Sequence, residues 1–197
     1  MLFAKKPKYD YIIVGLGNPG DKYKETRHNA GFRALDILAA DLNAGSERNK
    51  HQSILREAEI KNKKILLCWP QTFMNNSGAA VSEILRFYKL EPTTVIVISD
   101  DVSMDAGRLR IRASGSHGGH NGLKDIIELC GTDLIPRVKI GVGSKPHPDY
   151  DLKDWVLSNF KADEKEVLAE AIKNAVAAIS DMTNGNFEAS MNKFNKK

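Results

Sequence analysis

Apolar and polar positions change period along this chain, and each period predicts an element. Residues 11–16, YIIVGL, form a short β-branched run closed by glycine, which predicts a buried strand. Leu35, Leu38 and Leu42 recur at helical spacing, with Asn29 available as N-cap and Gly45 as stop. Segments 54–60 and 64–69 read as strands separated by the turn-forming KNK, a hairpin pattern. Val81, Ile84, Leu85 and Tyr88 follow the spacing of a helix that Asn76 or Ser77 would cap, with Pro92 just beyond it. Residues 94–99, TVIVIS, have the unbroken apolarity of a central parallel strand. Further strands are predicted at 108–113 and 137–142, with a helix over 123–129 between them. Leu168, Ile172, Ala175 and Ile179 mark a strong late helix, and Phe187, Met191 and Phe194 a short last one. Strands and helices interleave, and no linker, repeat or low-complexity tract divides residues 1–197. The expectation is one α/β domain.

Composition narrows the class without naming a function. The chain has 197 residues, 42% hydrophobic and 27% charged, which excludes disordered, collagen-like and membrane-embedded classes. One domain of this size buries roughly 70% of its unfolded surface and needs no disulfide or metal staple. No apolar run has signal-peptide or transmembrane length, so a cytoplasmic protein with no membrane partner is expected. Cys68 and Cys130 lack a CxxC partner and read as buried free thiols. A net charge of +4 suits a polyanionic partner such as nucleic acid, but equally suits proteins without one.

The segment GLGNPGDKYKETRHNAGF, residues 15–32, supports two incompatible readings. Its glycines match the GxGxxG of a dinucleotide-binding turn, which would require a helix to open directly after the third glycine. Here Asn18-Pro19-Gly20 is turn chemistry, DKYKETRHN follows, and no acidic residue closes a second strand, so the match reads as coincidence. The alternative centres on His28, next to the proposed N-cap, where a helix dipole favours the neutral imidazole of a general base. A lone histidine could equally cap or pack locally. Asp100 ends the strand of TVIVISDD at the carboxyl edge where open α/β sheets place ligands. It could orient a histidine or simply solubilise a strand end.

Two further motifs carry polar groups. TFMNNSG, residues 72–78, offers Asn75 and Asn76, of which a helix cap needs one. GSHGGHNGLKD, residues 115–125, combines glycines with His117, His120 and Asn121 at a helix start and lacks the GK[ST] ending of a P-loop. No carboxylate or cysteine completes a ligand pattern with the two histidines, so no metal is expected.

Taken in order, VGLGNPGDKYKETRHNAG, TFMNNSG and GSHGGHNGLKDI strongly resemble bacterial peptidyl-tRNA hydrolases over residues 14–143. The resemblance implies a single α/β domain with a mixed, mainly parallel sheet flanked by helices. It implies hydrolysis of the ester between a peptide, or an N-blocked amino acid, and the 3′-terminal ribose of tRNA, without metal or cofactor, by a cytoplasmic monomer. By resemblance, His28 is the catalytic base and Asp100 its partner. Asn18, Asn75 and Asn121 surround the reacting ester and peptide, with Tyr23, Met74 and His120 at the substrate site. Arg112 and Lys139 fall where basic residues clamp a tRNA phosphate, so that the acceptor stem and CCA end are held. Two departures stand out: Trp69 replaces a basic residue before the proline, and SDDVSMDAG replaces a form nearer DELDLPPG after the strand. An RNA-binding relative without hydrolysis would lack the histidine or its carboxylate, and both are present. A nucleotide-binding oxidoreductase would bind NAD at residues 15–20.

Overall fold

The structure, a computed structural model, describes residues 7–195. Seven strands build one sheet: β1 (Tyr11–Gly15), β2 (Arg48–Lys50), β3 (Ser53–Ile60), β4 (Lys63–Pro70), β5 (Val95–Asp101), β6 (Leu109–Arg112) and β7 (Arg137–Gly141), in the order β2-β3-β4-β1-β5-β7-β6. The four central strands β4, β1, β5 and β7 run parallel, and β2, β3 and β6 add antiparallel flanks. Six α-helices accompany them: α1 (Ala30–Asp41), α2 (Ser77–Tyr88), α3 (Asn121–Cys130), α4 (Leu152–Val156), α5 (Ala162–Thr183) and α6 (Phe187–Phe194).

Successive strand residues point to opposite faces, and the sheet is covered on both. Ile13, Ile65, Leu67, Ile96, Ile98 and Val138 pack with α1 and α5 in one core. Ile12, Val14, Leu66, Val95 and Val97 pack with α2 and α3 in the other. This two-sided burial explains why β1, β4 and β5 read as continuous apolar runs.

The third glycine of the GxGxxG match opens no α-helix. A 3-10 turn at Asp21–Tyr23 and a second at Arg27–Asn29 intervene before α1. What the glycines provide is close packing of α1 on the sheet. A Cβ at Gly31 would lie 2.4 Å from the Ile98 carbonyl oxygen, and one at Gly15 2.6 Å from the Gly31 oxygen. The start of α1 therefore touches the backbone of β1 and β5, which carries the preceding 3-10 turn to the end of β5.

Several expected caps are used differently. Asn29 occupies the N-cap position of α1 but makes no cap; its side chain accepts from the Asn18 backbone N–H at 2.9 Å and donates to the Asn18 carbonyl at 3.0 Å. Asn76 likewise does not cap α2. The Gly78 N–H near its start is taken by Asp125 of α3 at 2.6 Å, in an approach that only a residue without Cβ allows. β2 and α4 were not expected from the sequence.

Candidate functional site

The carboxyl ends of β1, β4 and β5 deliver their loops to one cleft of about 560 Å³. Asn18, Tyr23, His28, Met74, Asn75, Asp100, His120, Asn121 and Lys139 all line it. Arg112 does not; it is exposed on β6, directly opposite Arg137 of β7.

The centre of the cleft is a carboxylate shared by two imidazoles. His28 Nδ1 lies 2.8 Å from Asp100 Oδ1, and His120 Nε2 lies 3.0 Å from the same oxygen. The Leu123 backbone N–H donates to His120 Nδ1 at 3.3 Å, so that nitrogen carries a lone pair and Nε2 carries the proton given to Asp100. Both nitrogens of His120 are thus engaged within the protein, one as the N-cap of α3. His28 differs: Nδ1–H donates to Asp100, leaving the Nε2 lone pair uncommitted.

Their electrostatics follow from burial and charge. Burial alone would raise the Asp100 pKa, but the two imidazoles outweigh it and hold the carboxyl well below the usual carboxylate range. Burial favours neutral His28, yet the charge and hydrogen bond of Asp100 more than reverse this and raise its pKa above the ordinary histidine value. The lowered pKa expected for His28 at a helix start is therefore not found; the carboxylate raises it instead. Donor atoms of His28, Asp100 and His120 lie within 4.8 Å of one another, a spacing that could hold a metal ion. Coordination there would exchange the two imidazole–carboxylate hydrogen bonds for metal bonds.

The wall beside this centre is rigidly joined. Asn18 Oδ1 accepts from the Met74 backbone N–H at 2.9 Å, while Asn29 clasps the Asn18 backbone. These bonds tie the loop after β1 to the loop after β4. Asn75 and Asn121 are exposed along the cleft. Lys139 lies 2.5 Å from Asp101 Oδ2, so its charge is partnered. Asp101 Oδ1 in turn accepts from the backbone N–H and hydroxyl of Ser103, shaping the divergent loop after β5. Trp69, the other departure, donates its indole N–H to Asp36 at 2.9 Å.

Sequence reasoning missed a further part of the lining, where α4 contributes Leu152, Lys153 and Val156, Leu157 follows just beyond its end, and Phe73 and Val102 join. A signal for α4 was available in Asp151, which caps Lys153 and Asp154, followed by apolar residues at 152, 155 and 156.

The peptidyl-tRNA hydrolase family model matches residues 12–197. The chain belongs to the peptidyl-tRNA hydrolase family. It is 46% identical over 185 residues to the peptidyl-tRNA hydrolase of Lachnospira eligens, covering 94% of this chain and 99% of the relative. It is also 46% identical over 184 residues to that of Clostridium perfringens, covering 93% and 96%. The solved peptidyl-tRNA hydrolase of Acinetobacter baumannii superposes with a TM-score of 0.89 at 32% identity, covering 98% of this chain and 97% of that one. The purine nucleoside phosphorylase of Toxoplasma gondii, at 8% identity and a TM-score of 0.54, shares the fold alone. Membership makes the chain a hydrolase of translation that cleaves the ester bond of peptidyl-tRNA. No helix among the described residues is long and apolar enough to cross a membrane.

Proposed function

We propose that the cleft around His28 is where this ester is cut, and that His28 is the general base. The single observation that carries this is the 2.8 Å contact of His28 Nδ1 with a buried, ionised Asp100, which leaves Nε2 as the one basic nitrogen of the pair of imidazoles. Nε2 takes a proton from water as the water oxygen attacks the ester carbonyl. Asp100 holds the ring and stabilises the imidazolium. Collapse of the tetrahedral intermediate returns the proton to the ribose oxygen and releases the peptide as its carboxylic acid.

Asn75 and Asn121, with side chains along the cleft, bind the peptide amide and the developing oxyanion. Asn18 acts with them and also fixes Met74. Recognition of the first peptide amide by such groups rejects an unblocked aminoacyl ester, whose free amine cannot reproduce the pattern. Tyr23, Met74 and the ring of His120 complete the substrate surface. Exposed Arg112 and half-buried Lys139, the latter by exchanging Asp101 for a phosphate, hold the acceptor stem and present the CCA end. This chemistry needs no resident metal or cofactor, and the chain acts as one domain over residues 1–197, as a cytoplasmic monomer.

The test is peptide release from N-blocked aminoacyl-tRNA by the wild type and by His28→Ala, with binding of the same RNA measured in parallel. Loss of turnover with retained binding is expected. Undiminished turnover in the variant would remove His28 as the base, and binding without turnover in the wild type would make the chain an RNA-binding relative.

A further inference from the structure

The residue next to His28 is a buried arginine whose side chain does not line the cleft. The Arg27 side chain is 1% exposed and lies 3.8 Å over the Trp155 ring and 4.8 Å over Phe160. It donates to the Val142 carbonyl at 2.7 Å, to both carboxylate oxygens of Glu164 at 3.0 and 2.6 Å, and to Ser158 Oγ at 3.3 Å. Its backbone N–H reaches the Ser158 carbonyl at 3.0 Å. One guanidinium thereby joins the turn before His28 to the end of β7, to α4 and to the start of α5.

A buried charge needs pairing, and Glu164 alone would supply it. The remaining bonds fix orientation. Val142 and Glu164 bracket residues 143–163, the segment that contains α4, and Trp155, Ser158 and Phe160 lie within it. Trp155 is held at its edge and on one face, since its indole N–H donates to the Gly143 carbonyl at 2.8 Å while its face carries Arg27. The adjacent residue Val156, with Leu152 and Leu157, forms the apolar wall of the cleft. α4 is five residues long and cannot hold its place through its own backbone bonds.

We infer that Arg27 is a positioning residue that sets the α4 wall at a fixed distance from His28, and that this wall binds the side chains of the peptide beyond the residue esterified to tRNA. Leu152, Val156 and Leu157 offer an apolar surface that suits peptide side chains, and the exposed Lys153 beside them is the one charged α4 group in the lining. The inference rests on the assignment of ester cleavage to this cleft. Because Arg27 acts through the wall, its replacement weakens binding of the longer peptide and leaves the chemistry of His28 in place. Lysine keeps the charge but loses the planar stack and the bidentate fork.

The experiment compares kcat and KM of the full chain, Arg27→Lys, Leu152→Ala and the double variant. The substrates are an N-acetyl-aminoacyl-tRNA and a tripeptidyl-tRNA with apolar residues, built on the same tRNA. Arg27→Lys is expected to raise KM for the tripeptidyl substrate about tenfold, the effect of mis-seating an apolar group. Its KM for the one-residue substrate stays within about twofold, and the acid limb of its pH profile does not move. Leu152→Ala raises the tripeptidyl KM as well, and the double variant loses less than the product of the two. Equal losses on both substrates, a shifted acid limb, multiplying effects or no effect would each overturn the inference. Should Arg27→Lys not fold, Glu164→Gln carries the same test, because it weakens the fork without emptying the buried site. The two assignments fail separately: retained turnover in His28→Ala defeats the cleft, whereas an indifferent Arg27→Lys defeats only the wall.

Discussion

The two walls of the cleft are built on different principles. The polar wall grows from the carboxyl ends of parallel strands, and its members hold one another: Asn29 clasps Asn18, Asn18 binds Met74, and Asp100 joins His28 to His120. The apolar wall sits on a five-residue helix fastened from behind through Arg27 and Trp155. Proton transfer requires reacting atoms fixed within a fraction of an ångström, which a sheet edge supplies. Apolar binding tolerates more variation, so a short helix held from behind suffices for it.

The comparison breaks most severely where the sheet and α1 touch. Gly31→Ala places a Cβ 2.4 Å from the Ile98 oxygen and forces α1 off β5. Overpacking of this kind costs about 1–3 kcal/mol or more. At about 2–4 °C per kcal/mol for a chain of this size, melting should drop clearly, with activity lost beyond the unfolded fraction as His28 leaves Asp100. Asn18→Ala removes the acceptor of the buried Met74 N–H, for an expected loss of about 1–3 kcal/mol by chemical denaturation and a fall in kcat. Val156→Ala, on the apolar wall, should raise KM for longer peptides while kcat for the shortest substrate changes least. The smallest effect is expected far from both walls: Arg112→Ala should weaken RNA binding modestly and flatten the salt slope by about one charge. An unchanged slope would remove Arg112 from the phosphate contacts.

The sequence made the sheet legible where strands are buried on both faces, because β1, β4 and β5 need uninterrupted apolar residues there. β2 is Arg48-Asn49-Lys50, three polar residues whose extended form comes only from pairing with β3, so no local pattern announces it. The candidate side chains of the polar wall were legible because they lie on strand ends and helix starts with a recognisable residue order. Their hydrogen bonds were not. Asn29 has the right type and position for a cap, and only tertiary structure offers it the Asn18 backbone instead. His120 reads as a substrate-site residue, and no local pattern shows that the Leu123 N–H and Asp100 occupy both of its nitrogens. Arg27 carries no sequence signal, since its partners lie 115 to 137 residues away.

The central claim is that Asp100 tunes and orients His28 as the base, and the dependence of kcat/KM on pH for the wild type and Asp100→Asn tests it most directly. The base works as neutral imidazole, so activity must rise as pH climbs through the His28 pKa. That rise should be centred above the ordinary histidine value of 6.5 in the wild type. Without the carboxylate, burial dominates and lowers the pKa. The rise should then move to lower pH while the plateau falls about 10²–10⁴-fold as the ring loses its orientation. A limb that stays in place at an undiminished plateau would contradict the account.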